Sequence, residues 1–146
     1  MTLEASAAAE SKTATVSQPL DARAVIISLT GKDLARTIAF YRDVIGFTVE
    51  YVMESDGKPT SASVRSGAAR LVLNQDDGGR GWERVKGEGF AITFDTAQDI
   101  DAVAAGIKAR GGTLVMEPTD MSWGVRMLRF VDPDGYRIGI WAPLKG

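Results

Sequence analysis

The side chains best suited to acid–base chemistry in this sequence are carboxylates, because the chain contains no histidine and no cysteine. It therefore lacks the commonest general base, a thiolate nucleophile and the usual nitrogen and sulfur ligands of zinc. The candidate acids and bases are Glu50, Glu54, Glu88 and Glu117. No spacing pairs two of these carboxylates, as acid–base catalysis by a carboxylate pair requires. We therefore expect them to be solvated.

The segment with the strongest structural signal begins and ends with a tryptophan, WGVRMLRFVDPDGYRIGIW. Its DPDG tetrapeptide, at 132–135, predicts a turn, since proline presets φ and glycine tolerates a positive φ. Runs of β-branched, aromatic and long apolar residues on each side predict a hairpin. The indoles of Trp123 and Trp141 lie at its ends. There they can stack on an aromatic ligand in a cavity, or seal a sheet edge or a dimer interface.

The elements that must position these residues occur twice along the chain. The first unit has a strand at 23–30, a helix from Asp33 to Gly46, and strands at 47–54, 60–66 and 70–75. The second has a strand at 90–94, a helix from Asp99 to Gly111-Gly112, and strands at 113–117, 125–131 and 136–141.

The spacing of these signals indicates an internal repeat. Asp33 and Asp99 lie 66 residues apart (99 − 33), as do Gly46 and Gly112 (112 − 46). The sequence therefore predicts an α+β fold of two βαβββ modules, which form an open cupped mixed sheet around a central cavity with the helices outside.

The chain divides into a flexible N-terminal tail at 1–21 and a single domain at 22–146. The tail is rich in alanine, serine and threonine and offers little apolar surface to order it. Within the domain we predict module 1 at about 22–75, a glycine-rich linker at 76–88 and module 2 at about 89–143.

Bulk properties exclude several classes of partner. The chain has 146 residues and a formal net charge of −2, with no basic stripe that could neutralise a phosphate backbone. No apolar run approaches the roughly 20 residues that span a bilayer, and the first twenty residues lack the features of a secretory signal. We expect no nucleic-acid or membrane partner and a cytoplasmic location.

With LARTIAFYRDVIGFTVEY in the first unit and WGVRMLRFVDPDGYRIGIW in the second, the chain resembles the vicinal oxygen chelate superfamily. That group includes glyoxalases, extradiol dioxygenases and bleomycin-resistance proteins. The resemblance covers residues 22–143. Its motifs are Phe40-Tyr41-Arg42 with Gly46-Phe47 after the first helix, and the DPDG turn before the last strand. It implies the same fold of two βαβββ modules around a ligand.

The metal enzymes of this superfamily typically carry His or Gln on the first strand, Glu on the fourth, His on the fifth and Glu on the eighth. Strand alternation carries these positions over to Ala24 (or Ile26), Val72 (or Asn74), Gly89 (or Phe90) and Gly139. Divalent metals need several oxygen or nitrogen donors in fixed geometry. One asparagine and no carboxylate do not provide them, so the resemblance implies no metal site here, and we expect no cofactor.

The likeness is greatest to the bleomycin-resistance branch, whose members have a Trp-Gly-x-Arg segment entering the seventh strand, here 123–126. This implies a homodimer that binds a drug without transforming it, in crevices built from both chains. Arg126 then either contacts the ligand or braces the hairpin through a salt bridge. Binders of cationic glycopeptides tend to be strongly acidic, whereas this chain is only mildly so.

Alternation on the last strand places Arg137, Gly139 and Trp141 on the face opposite Ile138 and Ile140. If Gly139 occupies the former metal-ligand position, Arg137 flanks the cavity. It can bind a carboxylate or phosphate bidentately there, or it is a solvated arginine at a strand start.

Other lining groups follow from the same alternation. Ser28 and Asn74 fall opposite the residues predicted to face the core, which are Val25, Ile27, Leu71, Leu73, Phe90, Ile92 and Phe94. Trp82, in the linker, is expected to be a flap over the cavity or a plug.

The sequence thus predicts a metal-free, homodimeric small-molecule-binding protein of glyoxalase/bleomycin-resistance type, which sequesters an aromatic or amphipathic compound such as an antibiotic. The predicted ligand-binding residues are Ser28, Asn74, Trp82, Trp123, Arg126, Arg137, Gly139 and Trp141. One alternative is a metal-independent isomerase or lyase of the same superfamily that uses a carboxylate as base. Another is a structural or regulatory dimer with an empty cavity.

Overall fold

The computed structural model describes residues 18–145, so most of the predicted tail, residues 1–17, lies outside the described residues, as does Gly146. Two modules follow one another, each in the order strand, helix, strand, strand, strand. The predicted α+β fold of two βαβββ modules is confirmed. Within the described range, no helix is long and apolar enough to cross a membrane.

The element bounds lie within two residues of those predicted, with two exceptions. The first strand begins four residues late, and the strand predicted at 113–117 is shifted by three residues to Met116–Asp120. The first module contains β1 (Ile27–Gly31), α1 (Leu34–Ala39), β2 (Thr48–Ser55), β3 (Lys58–Ser66) and β4 (Ala69–Gln75), and α1 continues into a π-helical segment, Phe40–Ile45. The second contains β5 (Ile92–Asp95), α2 (Ile100–Ala109), β6 (Met116–Asp120), β7 (Val125–Val131) and β8 (Arg137–Pro143).

Both helices begin after the aspartates that the sequence predicts. Asp33 Oδ1 accepts the N–H of Arg36 at 3.4 Å, and Asp99 Oδ1 accepts the N–H of Asp101 at 3.0 Å. Each carboxylate satisfies a donor that the first turn leaves unpaired. Gly46 ends the first helical stretch at φ 101°, a conformation that is strained for residues with a Cβ.

Each module forms its own four-stranded sheet, and the two sheets have the same topology. The strand orders are β1-β4-β3-β2 and β5-β8-β7-β6. β1 runs parallel to β4 and β5 runs parallel to β8, while the other neighbours are antiparallel. Each helix packs on one face of its own sheet. The opposite face of each sheet is left open.

β1 and β5 begin later than predicted, and this corrects two core assignments. The parallel ladders start at Ile27 paired with Leu71 and at Ile92 paired with Ile138. Residues before these pairs have no neighbouring strand to cover them. Val25 is therefore 77% exposed and Phe90 is 45% exposed, so neither faces the core.

One hydrophobic core runs through both modules. Its largest fully buried apolar side chains are Tyr41, Phe130, Leu29, Leu34, Leu71, Leu73, Ile107, Leu128, Ile138 and Val64. Aromatic contacts cross between the modules, with ring centroids 5.9 Å apart for Phe40 and Phe130 and 5.5 Å apart for Phe47 and Phe94. Because the core is shared, the two modules stabilise each other.

The turn between β7 and β8, residues 132–136, also joins the modules, and we call it the inter-module turn. Asp132 is only 4% exposed and accepts the hydroxyl of Tyr41 at 2.7 Å. Its other oxygen accepts the N–H groups of Asp134 at 2.9 Å and Tyr136 at 3.0 Å. Burial raises the pKa of both the Asp132 carboxyl and the Tyr41 hydroxyl.

Two further side chains of the inter-module turn bind the end of β1 and the start of α1. Asp134 accepts the N–H of Lys32 at 2.8 Å and the hydroxyl of Thr37 at 2.7 Å. The hydroxyl of Tyr136 donates to the carbonyl of Thr30 at 3.1 Å. The position of the β7–β8 hairpin is therefore fixed by the first module.

Replacing Tyr41 tests this joint. Tyr41→Phe removes the donor and leaves a buried oxygen of Asp132 without its side-chain partner. We expect the free energy of unfolding to fall by about 1–3 kcal/mol, measured by urea denaturation. Tyr51→Phe is the matched control, because Tyr51 is 53% exposed on β2. Equal unfolding midpoints for the two variants would contradict the role of Tyr41.

Candidate functional site

The open face of the second sheet carries a cavity of about 710 Å³. Phe90, Trp123 and Trp141 contribute aromatic walls, and Arg129 and Arg137 contribute positive charge. This volume lies in the range of small-molecule pockets, about 300–1,000 Å³. The cavity is open and largely apolar, which suits a flat guest.

The pairing of β7 with β8 brings these side chains to one face. On that face Met127 pairs with Trp141, Arg129 with Gly139, and Val131 with Arg137. The intervening residues, Leu128, Phe130, Ile138 and Ile140, are buried in the core. Arg137, Gly139 and Trp141 thus share a face, opposite Ile138 and Ile140.

The two tryptophans of the cavity differ in how they are held. The Nε1–H of Trp141 donates to Asp95 Oδ1 at 3.0 Å, which orients the indole. Trp123 lies between β6 and β7 and is 55% exposed. A guest in the cavity can therefore bury much of the Trp123 ring that now faces solvent.

Gly139 is packed against the neighbouring strand rather than against empty space. A Cβ built at Gly139 would collide with the terminal methyl of Met127, which is itself buried. Met127 therefore fills the space that a side chain at position 139 would need, and its thioether forms part of the cavity floor.

The residues present do not fit the metal site of the resembled enzymes. The positions carried over from the resemblance hold Ala24 or Ile26, Val72 or Asn74, Gly89 or Phe90, and Gly139, and all but Asn74 are apolar side chains or glycines. Asn74 adds one amide. Across residues 18–145 there is no group of three or more His, Cys, Asp or Glu that could hold a metal ion. The donor set is therefore unsuited to a divalent cation.

The two arginines of the cavity have different partners. The guanidinium of Arg137 donates to the carbonyls of Gly87 at 3.3 Å and Phe90 at 3.1 Å, so it holds the chain at the cavity rim. Among residues 18–145, the side chain of Arg129 has only a weak contact, 3.8 Å from its Nη1 to the sulfur of Met116. Sequence reasoning missed Arg129, although alternation from Met127 was a signal that could have found it.

Arg126 lies outside the cavity, among acidic side chains. Its guanidinium donates to Asp101 on α2 at 2.9 and 3.0 Å and to Asp120 on β6 at 2.8 Å. Hydrogen bonding to Arg126 lowers the pKa of Asp101. The sequence left two roles open for Arg126, contact with the ligand or a salt bridge that braces the hairpin. The structure shows salt bridges.

Ser28 and Asn74 lie on the open face of the first sheet, away from the cavity of the second. Asn74 accepts the hydroxyl of Ser61 at 3.2 Å, and the side chain of Ser28 is exposed. Within one chain, these two residues are therefore not brought together with the tryptophans of the hairpin.

Trp82 lies in the segment between β4 and β5, residues 76–91, which contains the predicted linker at 76–88 and is called the linker from here on. Its indole packs so closely on Gly78 that a Cβ there would collide with the ring. Trp82 is 48% exposed and does not line the cavity. In this structure it covers its own loop.

The start of the linker is anchored by a buried ion pair. Asp76, 3% exposed, lies 3.0 Å from the ammonium of Lys86, and its other oxygen accepts the N–H of Gly78 at 2.9 Å. The hydrogen bond from Gly78 and the charge of Lys86 lower the pKa of Asp76. Since Arg137 binds the end of the linker, both ends are held.

The carboxylates that could act as bases are engaged elsewhere or exposed. Glu50 lies 2.7 Å from Arg65 and 3.2 Å from Arg70, and its hydrogen bond with Arg65 lowers its pKa. Glu117 pairs with Lys108 at 2.5 Å. Glu54 and Glu88 are exposed. The described structure places none of these glutamates in the cavity lining.

Comparison with known proteins is consistent with this architecture. The family model for the Glyoxalase/Bleomycin resistance protein/Dioxygenase superfamily matches residues 23–140. A lactoylglutathione lyase from Haemophilus influenzae is 34% identical over 113 residues, which cover 73% of this chain and 82% of that protein.

Two solved structures show the same fold at lower sequence identity. TioX from Micromonospora sp. ML1 aligns with a TM-score of 0.68 and 18% identity, over 82% of this chain and 97% of TioX. TnmS3, an antibiotic binding protein from Streptomyces sp. CB03234, aligns with a TM-score of 0.65 and 23% identity, over 87% of this chain and all of TnmS3 (100%).

Asp76→Asn tests how the linker is held. The substitution removes the charge that Lys86 faces, so we expect faster amide hydrogen exchange across residues 76–91, measured by mass spectrometry. Asp77→Asn is the control, because Asp77 is exposed and accepts only the N–H of Gly79.

The same experiment has a pH dependence of known sign. Because the pKa of Asp76 is lowered in the folded state, its stabilising effect is present above its ordinary pKa and is lost as the pH falls through the lowered value. The excess exchange of Asp76→Asn should therefore shrink in acid. An excess that is independent of pH would contradict the ionic role.

Proposed function

Because the chain belongs to the glyoxalase/bleomycin resistance protein/dioxygenase superfamily, we propose that it is a metal-free small-molecule-binding protein that sequesters an aromatic or amphipathic compound, such as an antibiotic. One observation carries the proposal. The residues at the family's metal-ligand positions offer at most the amide of Asn74, while the face of the second sheet that carries Gly139 offers a largely apolar cavity walled by Phe90, Trp123 and Trp141.

Burial of apolar surface in such a cavity would drive binding. Burying apolar surface contributes about 25 cal/mol per Å², so a guest that buries about 200 Å² gains about 5 kcal/mol before the cost of association. The indole of Trp141 is already oriented by Asp95, which limits the ordering cost. The antibiotic-binding protein TnmS3, which has this fold, supports the assignment.

The proposal includes a homodimer that builds each crevice from both chains. The open face and edge of the first module expose apolar side chains, with Val25 at 77%, Ile26 at 53%, Tyr51 at 53% and Met53 at 57%. Pairing of this face with the second sheet of another copy would cover them. It would also bring Ser28 and Asn74 opposite the cavity, as the predicted ligand set requires. The cytoplasmic location stays a prediction.

Similarity to a lactoylglutathione lyase favours an enzyme as the second candidate. In this chain such a reaction would have to use a carboxylate without a metal. A lactoylglutathione lyase assay, run with and without added divalent cation, distinguishes this activity from binding, since the binding proposal expects no turnover in either condition. Turnover that is lost in Glu88→Gln would replace the binding proposal with a catalytic one.

A thermal-shift screen with a library of aromatic compounds tests the binding proposal. We expect hits that raise the melting temperature equally with and without a chelator. Trp123→Ala should abolish these shifts at little cost in stability, because Trp123 is 55% exposed. Trp82→Ala is the matched control, since Trp82 is similarly exposed at 48% but lies outside the cavity. A library without any hit would support the empty-cavity alternative.

Sedimentation analysis tests the dimer. The wild-type chain should sediment at twice its mass of 15.6 kDa. The double variant Ile26→Asp/Met53→Asp should dissociate it, because two charges would have to be desolvated at the interface. Val85→Asp, at a 73% exposed position of the linker, should leave the dimer intact. A monomeric wild type would exclude crevices shared between chains.

A further inference from the structure

We propose that the cavity on the second sheet selects anionic aromatic compounds and that Arg129 determines this preference. The inference rests on the proposed function and adds the charge of the guest to it.

The lining contains two guanidinium groups and no carboxylate. Arg129 and Arg137 are the charged residues that contribute to it in the described part of the chain. Neither forms an ion pair within residues 18–145, whereas Arg65 and Arg126 are each matched by a carboxylate within 3.0 Å. The cavity therefore carries uncompensated positive charge.

Arg129 and Arg137 lie on one face of the second sheet. Arg129 pairs with Gly139 and Arg137 pairs with Val131, so the two residues are diagonal neighbours on β7 and β8. Their guanidiniums extend to different neighbours, Arg129 to Met116 on β6 and Arg137 to the segment that precedes β5. Both positive charges line the cavity, so they attract an anionic guest and repel a cationic one.

Of the two arginines, Arg129 is the less constrained by hydrogen bonds. Arg137 already donates to the carbonyls of Gly87 and Phe90, whereas the contact of Arg129 is to the sulfur of Met116. A guanidinium has five N–H donors, and it binds carboxylate, sulfonate or phosphate oxygens in a planar, directional way. Arg129 can therefore bind an acidic group without first breaking a strong contact.

Asp95, on the adjoining strand β5, pairs in register with Trp141 and accepts its indole N–H. Within residues 18–145 it forms no ion pair with Arg129 or Arg137. The indoles and the free guanidinium thus share one face. A guest that places its rings against Trp123 and Trp141 brings an acidic substituent within reach of Arg129, whereas cationic drugs are disfavoured.

Three naphthalene probes with different charges test the preference. They carry a sulfonate, a sulfonamide or a methylammonium group at the same ring position, and isothermal titration calorimetry gives their affinities. We expect the sulfonate to bind roughly tenfold more tightly than the neutral sulfonamide, and the methylammonium compound to bind most weakly. Raising the ionic strength from about 0.01 M to about 0.1 M should weaken only the sulfonate appreciably.

Arg129→Gln removes the charge and keeps a hydrogen-bonding side chain. We expect it to lower the affinity for the sulfonate roughly tenfold, to that of the sulfonamide, and to leave the sulfonamide unchanged. Arg36→Gln removes the same net charge from an exposed position on α1, so it should preserve the preference. This pair of variants separates a local effect from one of net charge.

The outcomes separate the inference from the proposed function. Equal affinities for sulfonate and sulfonamide, or a preference that survives Arg129→Gln, would overturn the inference and leave sequestration standing. If no naphthalene probe binds to the wild-type protein, the inference is also overturned. The proposed function then falls only if the aromatic library produces no thermal shift.

Discussion

A buried hydrogen bond between the hydroxyl of Tyr41 and the carboxylate of Asp132 holds the two halves of this protein in register. It joins the π-helical segment of the first module to the turn that opens β8 of the second. Around it, Asp134 and Tyr136 bind the end of β1 and the first turns of α1. The cavity is built on β7 and β8. The contacts between the inter-module turn and the first module therefore position the cavity walls.

Along β7 and β8, alternate residues face the core, where they stabilise the fold, and the cavity, where a ligand can bind. Phe130 and Ile138 point into the shared core, while Arg129 and Trp141 point out of it, into the cavity. Exposed residues of the outward face, such as Arg129, can therefore change with little effect on packing, whereas Gly139 is constrained by its contact with Met127. This freedom allows the face to carry indoles, a methionine and arginines on the fold of its superfamily.

Sequence reasoning succeeded where the signal was local or repeated, and it failed where the partner was remote. Periodicity with Asp33 and Asp99 as caps gave the two modules, and alternation gave the common face of Arg137 and Trp141. β1 and β5 begin where their pairing with β4 and β8 begins, and the apolar pattern does not show this point. The prediction that Phe90 faces the core was therefore wrong. The contacts of Arg126 could not be foreseen, because Asp101 lies 25 residues away on a helix whose placement is a tertiary property.

The buried ion pair of Asp76 and Lys86 affects whether the two modules pair within one molecule or between two molecules during folding. The first module carries Tyr41 and the second carries Asp132. The same contact could form between the first module of one molecule and the second module of another. By folding the connecting segment back on itself, the ion pair keeps the two partners of one polypeptide close at high effective concentration. It thereby favours self-contained molecules over intertwined ones, in which halves are exchanged between chains.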